Sequence, residues 1–149
     1  FRRVLFRSVA GGAGVIAMAT QGLDDEGHRQ VREVLDPLGA VVEMDEGLFP
    51  AATAIGGSGP GFVAYLAAAM EDAAAGAGID RADARAMVQA VLAGTALLLE
   101  GGEDPAALQA RVTSPGGTTA AGIAAMDAAG AADAVHAAVR AAAARATEL

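Results

Sequence analysis

DRADARAMVQAVLAGTALLLE, residues 80–100, decides how this chain folds. Asp80 is the kind of side-chain acceptor that caps a helix start. Behind it Met87, Val88, Val91, Leu92, Thr95, Leu98 and Leu99 recur at helical spacing and mark one continuous apolar face. Gly101-Gly102 stops the run. A stripe this long predicts a helix at the centre of an all-helical region.

Helical spacing continues on both sides. Upstream, Pro60 stands where a first-turn proline belongs, and Phe62, Val63, Leu66 and Met70 come next before Gly76 and Gly78 end the segment. Residues Glu46 to Ile55 read as a short helix before it. Downstream, Asp104-Pro105 opens a short helix carrying Leu108 and Val112. A loop from Thr113 to Thr118 leads into a helix through Asp127. After Gly130 an Ala-rich helix with Val135 and Val139 runs almost to the end. Six helices in about 100 residues make residues 46–149 an all-α domain. Residues 9–45 differ. Val15 to Thr20 reads as a buried strand, Asp24 to Leu38 as a helix with an acidic first turn, and Val41 to Met44 as a second strand. One strand–helix–strand unit cannot make a sheet alone, so it reads as the last fragment of a larger parallel sheet. Residues 1–8, FRRVLFRS, are basic and unlike the rest of the chain, and no apolar signal region succeeds them. They read as a non-native start.

Composition removes several function classes. The chain is 54% hydrophobic, but much of that is Ala, with one Tyr, four Phe and no Trp, so a thin helical core is expected. A net charge of −8 argues against a nucleic-acid partner, since phosphate binding needs a basic stripe. No Cys occurs, which excludes disulfides and thiolate chemistry. All ten basic residues are Arg, so Schiff-base chemistry and a lysine acid are excluded too. His28 and His136 lie far apart among small or charged neighbours and read as surface residues, and no metal site is expected. The apolar run from Ala86 to Leu99, about 14 residues, is shorter than the roughly 20 that a membrane span needs. The uncharged stretch from Ala51 to Met70 is broken by GGSGPG at 56–61. A soluble protein with no membrane partner is expected.

Two segments carry chemistry. Ser114-Pro115-Gly116-Gly117-Thr118-Thr119 immediately precedes a helix. Its glycines allow a tight fold with exposed N–H groups, and the helix start adds orphan donors and a positive dipole end, which together favour a carboxylate. Ser114, Thr118 and Thr119 add hydroxyls. On local chemistry alone the same residues also make an ordinary interhelical turn, which is the commoner outcome. Gly56-Gly57-Ser58-Gly59-Pro60 permits close approach of a ligand or a partner helix, but equally a helix–helix corner with a proline restart. Gly11-Gly12-Ala13-Gly14 precedes a strand rather than following one, and so fails as a dinucleotide loop.

Taken in order, these pieces resemble the pyrroline-5-carboxylate reductases. Val112 to Asp127 (VTSPGGTTAAGIAAMD) resembles that family's signature. Gly57-Ser58-Gly59-Pro60, Gly78-Ile79, and Leu97-Leu98-Leu99-Glu100 ahead of Asp104-Pro105 fall at its usual intervals. The resemblance covers about Gly14 to Leu149, and makes residues 9–45 the remnant of a Rossmann-type dinucleotide-binding domain and 46–149 a dimerisation and substrate-binding domain. It implies a cytoplasmic enzyme that reduces the cyclic imine 1-pyrroline-5-carboxylate to proline, at the last step of proline biosynthesis, with hydride from NADPH or NADH. It implies a homodimer or higher oligomer in which two helical domains interlock. It also implies that Ser114 with the backbone of Gly116, Gly117 and Thr118 holds the substrate carboxylate. Thr119 faces the ring nitrogen as the catalytic residue, and Gly57, Ser58 and Gly59 line the site. No residue is assigned to the cofactor, whose glycine motif is absent, so the chain alone is expected to be inactive. Gly61-Phe62 stand where the family usually has Ala-Tyr, which removes a hydroxyl.

Two alternatives stand beside this reading. β-Hydroxyacid dehydrogenases and ketopantoate reductases share the two-domain plan but depend on a catalytic Lys, which this chain lacks. A helical dimerisation module without an active site is the other. In either dimeric reading a single copy should expose Ala, Val and Leu surface, because a core shared by two copies is being split.

Overall fold

A computed structural model of the chain describes the backbone of residues 2–5 and the whole of residues 14–148. It is mainly helical, with one small sheet near its start. The chain divides into two compact units, Phe1–Gly61 with Ala134–Leu149, and Phe62–Asp133.

The first unit holds the sheet, in the order β1 (Arg2–Leu5), β2 (Gly14–Ala19), β3 (Gly39–Glu43). β2 and β3 run parallel, with Ile16 opposite Val41, and α1 (Asp25–Leu35) connects them. This is the predicted strand–helix–strand unit. β1 was not foreseen: Arg2–Leu5 pairs antiparallel with β2, although residues 1–8 read as a non-native start. Phe1 and residues 6–13 lie outside the described residues, and with them Gly11, Gly12 and Ala13 of the glycine run; Gly14 opens β2.

The physical reasons for these elements are local. Asp24 caps α1, its Oδ1 accepting from the Gly27 N–H at 2.8 Å, while Asp25 and Glu26 complement the positive end of the helix. Pro37 lacks the N–H that would extend the helical ladder. The chain therefore tightens into a 3₁₀ turn at Asp36–Leu38 instead of continuing as the single helix to Leu38 that the spacing suggested. Gly39 then takes φ 140°, and a Cβ there would overlap the Gly14 backbone across the β2–β3 pair. Ile16, Met18 and Leu35 form the core of this unit, with Val31, Leu38 and Val41 packed on them. Across its surface, the Arg32 guanidinium donates to the Val41 carbonyl at 3.2 Å and pairs with Asp36 at 2.9 Å, and His28 meets Glu43 at 2.9 Å.

The segment expected as one helix from Glu46 to Ile55 is instead a composite. A 3₁₀ turn (Glu46–Leu48) runs into one turn of α2 (Phe49–Ala52) and then into a π turn (Thr53–Gly57). The Ser58 N–H reaches back five residues to the Thr53 carbonyl, 3.2 Å. Widened turns of this kind leave the helical register locally and recur at functional sites. Ala54 and Gly56 are buried within it.

The remaining helices are α3 (Gly59–Gly76), α4 (Arg81–Glu100), α5 (Pro105–Arg111), α6 (Thr118–Ala128) and α7 (Ala131–Thr147). Asp80 caps α4 as predicted, accepting from the Ala82 N–H at 2.8 Å. Within the second unit, Arg81 pairs with Asp72 at 2.9 Å and Arg85 with Glu71 at 3.3 Å, tying the start of α4 to the end of α3. The α4 stripe does not behave as a core, however. Of its residues Val88 is buried, whereas Met87, Val91 and Leu98 are 56%, 53% and 45% exposed. The expectation that the stripe sits at the centre is corrected for a single copy: much of it faces outward. At 20 residues α4 has the extent expected between the Asp80 cap and the Gly101 stop, longer than the uncharged run Ala86 to Leu99 inside it. It is the one helix among the described residues long and apolar enough to cross a membrane, by length and composition only.

Candidate functional site

The Ser114–Thr119 loop joins α5 to α6 inside the second unit. The Gly117 N–H donates to the Ser114 carbonyl at 2.9 Å, closing a four-residue turn. Pro115 occupies its second position and Gly116, at φ 70°, its third. A positive φ at that third position is what a type II turn requires, and proline before it suits the same turn. Gly117 is favoured for a different reason. It is folded against Ser114 so closely that a Cβ would collide with the Ser114 hydroxyl oxygen, with the Ser114 carbonyl 3.1 Å away. Two successive glycines thus answer two separate demands, one of dihedral and one of space.

Gly117 is also the N-cap of α6, with extended backbone (φ −78°, ψ 171°) and no side-chain cap. The first N–H groups of α6, on Thr118, Thr119 and Ala120, therefore have no capping acceptor among the described side chains. The Ala121 N–H is the first to be taken up by the ladder, donating to the Gly117 carbonyl at 3.2 Å. No acidic residue stands in the first turn of α6, unlike α1 with Asp25 and Glu26. The first turn of α6 thus supplies no negative partner for its own positive end. Ser114, Gly116 and Thr118 are exposed, and Gly117 and Thr119 half-buried. Of the predicted substrate-binding residues, this loop brings Ser114, Gly116, Gly117, Thr118 and Thr119 together on one short segment.

Gly57, Ser58 and Gly59 lie elsewhere, at the end of the π turn and the first residue of α3, in the other compact unit. Gly57 is exposed and Ser58 and Gly59 half-buried. A side chain at Gly59 or Gly61 would meet nothing within 4 Å, so these two glycines are not required by packing in one copy. Phe62, the next residue, is half-buried.

The loop is suspended from a short, well-tied helix. Asp104 caps α5, its Oδ1 accepting from Ala106 N–H at 2.9 Å and Ala107 N–H at 3.1 Å. At the other end the Thr113 hydroxyl donates to the Gln109 carbonyl at 2.6 Å. The Arg111 guanidinium grips Glu103 with two bonds, Nε to Oε1 at 2.9 Å and Nη2 to Oε2 at 2.7 Å. That pairing holds the Glu103 carboxyl below the usual glutamate range and raises Arg111. Sequence reading missed this pair, because eight residues is not a spacing that helical neighbours use.

The described residues offer no cradle for a dinucleotide diphosphate. The helix after β2 begins with Asp24, Asp25 and Glu26, three carboxylates where phosphate binding calls for free N–H groups and neutral glycines. His136 is exposed and His28 is at the surface against Glu43. No group of acidic, His or Cys residues suited to a metal occurs among the described residues.

Residues 46–149 match the family model for pyrroline-5-carboxylate reductase dimerisation. A pyrroline-5-carboxylate reductase of Synechocystis is 39% identical over 140 residues, covering 93% of this chain and 52% of that protein. The structure of a pyrroline-5-carboxylate reductase from Coxiella burnetii superposes with a TM-score of 0.90 at 25% identity, covering 99% of this chain and 56% of that one. A Plasmodium falciparum pyrroline carboxylate reductase with NADP bound shares the fold, with a TM-score of 0.83 at 23% identity over 97% of this chain and 60% of that one. The chain spans about half the length of the Synechocystis relative.

Proposed function

This chain belongs to the pyrroline-5-carboxylate reductase family, and on that basis we propose that it is the substrate-holding, dimer-forming half of an enzyme reducing 1-pyrroline-5-carboxylate to proline with NAD(P)H. The observation that carries the reading is the start of α6. A type II turn delivers three uncapped N–H groups and a positive helix end, and no carboxylate of the chain's own stands in that first turn. An imino-acid carboxylate suits that environment, with the Ser114 and Thr118 hydroxyls as further donors. Thr119, half-buried one residue on, is the group we assign to the ring nitrogen.

The chemistry asks little more of these residues. A protonated cyclic imine already accepts hydride readily, so fixing the ring and favouring its bound form suffice, and no Lys, Cys or His is needed. The nicotinamide supplies the hydride when bound. The loop residues hold the acceptor rather than the donor, in keeping with the acidic start of α1. We take residues 9–45 as the end of the nucleotide-binding domain and 46–149 as the helical domain, and keep Gly57, Ser58 and Gly59 as a second candidate substrate-facing segment. On this reading the exposed face of α4 is covered by a second copy of the chain rather than by lipid. The dimerisation match spans α4, and Arg81, Asp83 and Arg85 crowd its first turn and a half. We place the enzyme in the cytoplasm, as a homodimer or larger homo-oligomer.

Proline, the reaction product, is the direct probe. Titrating it into the isotope-labelled chain should shift the amide signals of Gly117, Thr118 and Thr119. Gly117→Ala, whose Cβ meets the Ser114 hydroxyl, should weaken binding by about tenfold or more, the loss of roughly one good charge-assisted hydrogen bond. Loop signals that ignore proline, in a chain whose other signals show it folded, would contradict the assignment.

A further inference from the structure

α5 is too short to stand alone. Its seven residues are about 10 Å of helix, well under the length at which isolated helices persist in water. It buries one side chain, Leu108. Something other than a core must therefore fix its direction, and its last residue is only three positions before Ser114.

Three bonded features do so, all local. The Asp104 carboxylate closes the first turn. The Val112 N–H reaches the Leu108 carbonyl at 3.2 Å, and the Thr113 N–H reaches that of Ala110 at 3.2 Å, so the helix unwinds directly into the loop. Spanning both ends, Glu103 before the cap and Arg111 at the last turn close a bidentate bridge. It is the one two-bond Arg–carboxylate pair among the described residues. Most surface ion pairs contribute little, but a planar guanidinium facing a carboxylate with two near-ideal bonds is the geometry that does orient chain. Glu103 is also partly sheltered, its side chain 27% exposed.

We infer that Glu103 and Arg111 are positioning residues for the Ser114–Thr119 loop: their bridge clamps α5 end to end and so sets the angle at which the turn presents its N–H groups to the substrate carboxylate. Neither side chain need touch substrate. The inference rests on the loop being the carboxylate site, as proposed above. It adds a determinant outside the loop, in residues that the loop motif does not include.

The test uses the labelled chain with proline as ligand. Arg111→Ala and Glu103→Ala should each shift the amide signals of Ser114, Gly116 and Gly117. Each should also weaken proline binding by about three- to tenfold, less than the loss of a direct charge-assisted bond, since the clamp acts through the loop. Arg111→Lys keeps the charge without the fork and should bind like Arg111→Ala rather than like the parent. The exchanged pair, Glu103→Arg with Arg111→Glu, should recover most of the affinity, which a purely structural loss of side-chain packing would not do. Unchanged affinity and loop signals in the single variants would overturn the clamp while leaving the loop assignment standing. A parent chain that binds no proline would instead remove the assignment, and the clamp's role with it.

Discussion

The strand–helix–strand segment and the long helices solve the same problem in opposite ways. In the first, Ile16 and Met18 are fully buried and Leu35 is 1% exposed, so its apolar face is satisfied within one copy. In α3 and α4, residues at equally regular spacing, Val63, Leu66, Met70, Met87, Val91 and Leu98, remain open. Regular spacing marks which face will be covered. It does not say by what. An apolar surface of this extent is abnormal for a protein that works as a single copy, and the second copy proposed above as its cover accords with the match of residues 46–149 to a dimerisation family.

Mutation can set the two regions against each other. The largest effect on folding should come from Leu35→Ala. This removes a fully enclosed side chain from a core of three and should cost about 2–5 kcal/mol in a denaturation experiment. The contrasting variant is Val91→Glu, on a face already open in one copy. It should leave secondary structure intact while converting the assembly to monomers, read by light scattering. If Val91→Glu unfolded the chain as Leu35→Ala does, the two regions would not differ in the way described.

Acid should have the smallest effect, and it falls on the loop's support. Arg111 holds the folded Glu103 carboxyl below its ordinary value of 4.5, so the bridge contributes in full above that value and is lost as pH falls through the lower folded value. The amide shifts of Gly116 and Gly117 should therefore stay level from neutral pH down to about 5 and move only in stronger acid. Movement already between pH of about 6 and 7 would point to another group.

Much of this was legible from residue order, for identifiable reasons. The helices around Pro60, Asp80 and Asp104-Pro105 and the two parallel strands came from capping residues and apolar period. Ser114–Thr119 was visible because proline and paired glycines before a helix restrict what the backbone can do. Other features have no such signature. A π turn at Thr53–Gly57 breaks the period that would reveal it, so the segment read as one plain helix. The collision that favours glycine at 117 depends on where the Ser114 side chain folds, which residue order does not say. Glu103 and Arg111 meet across eight residues because α5 lies between them, and pairing at that distance obeys no local rule. The pairing of Arg2–Leu5 with β2 was not foreseen either, because a four-residue segment carries too little pattern to announce a strand.

Sedimentation equilibrium of the chain bears hardest on the dimeric reading, because an exposed α4 face and a shared helical core cannot both belong to a single copy. The expected mass is a multiple of the 14.6 kDa chain, a dimer or larger, persisting at micromolar concentration. A folded, stable monomer at that concentration would contradict it.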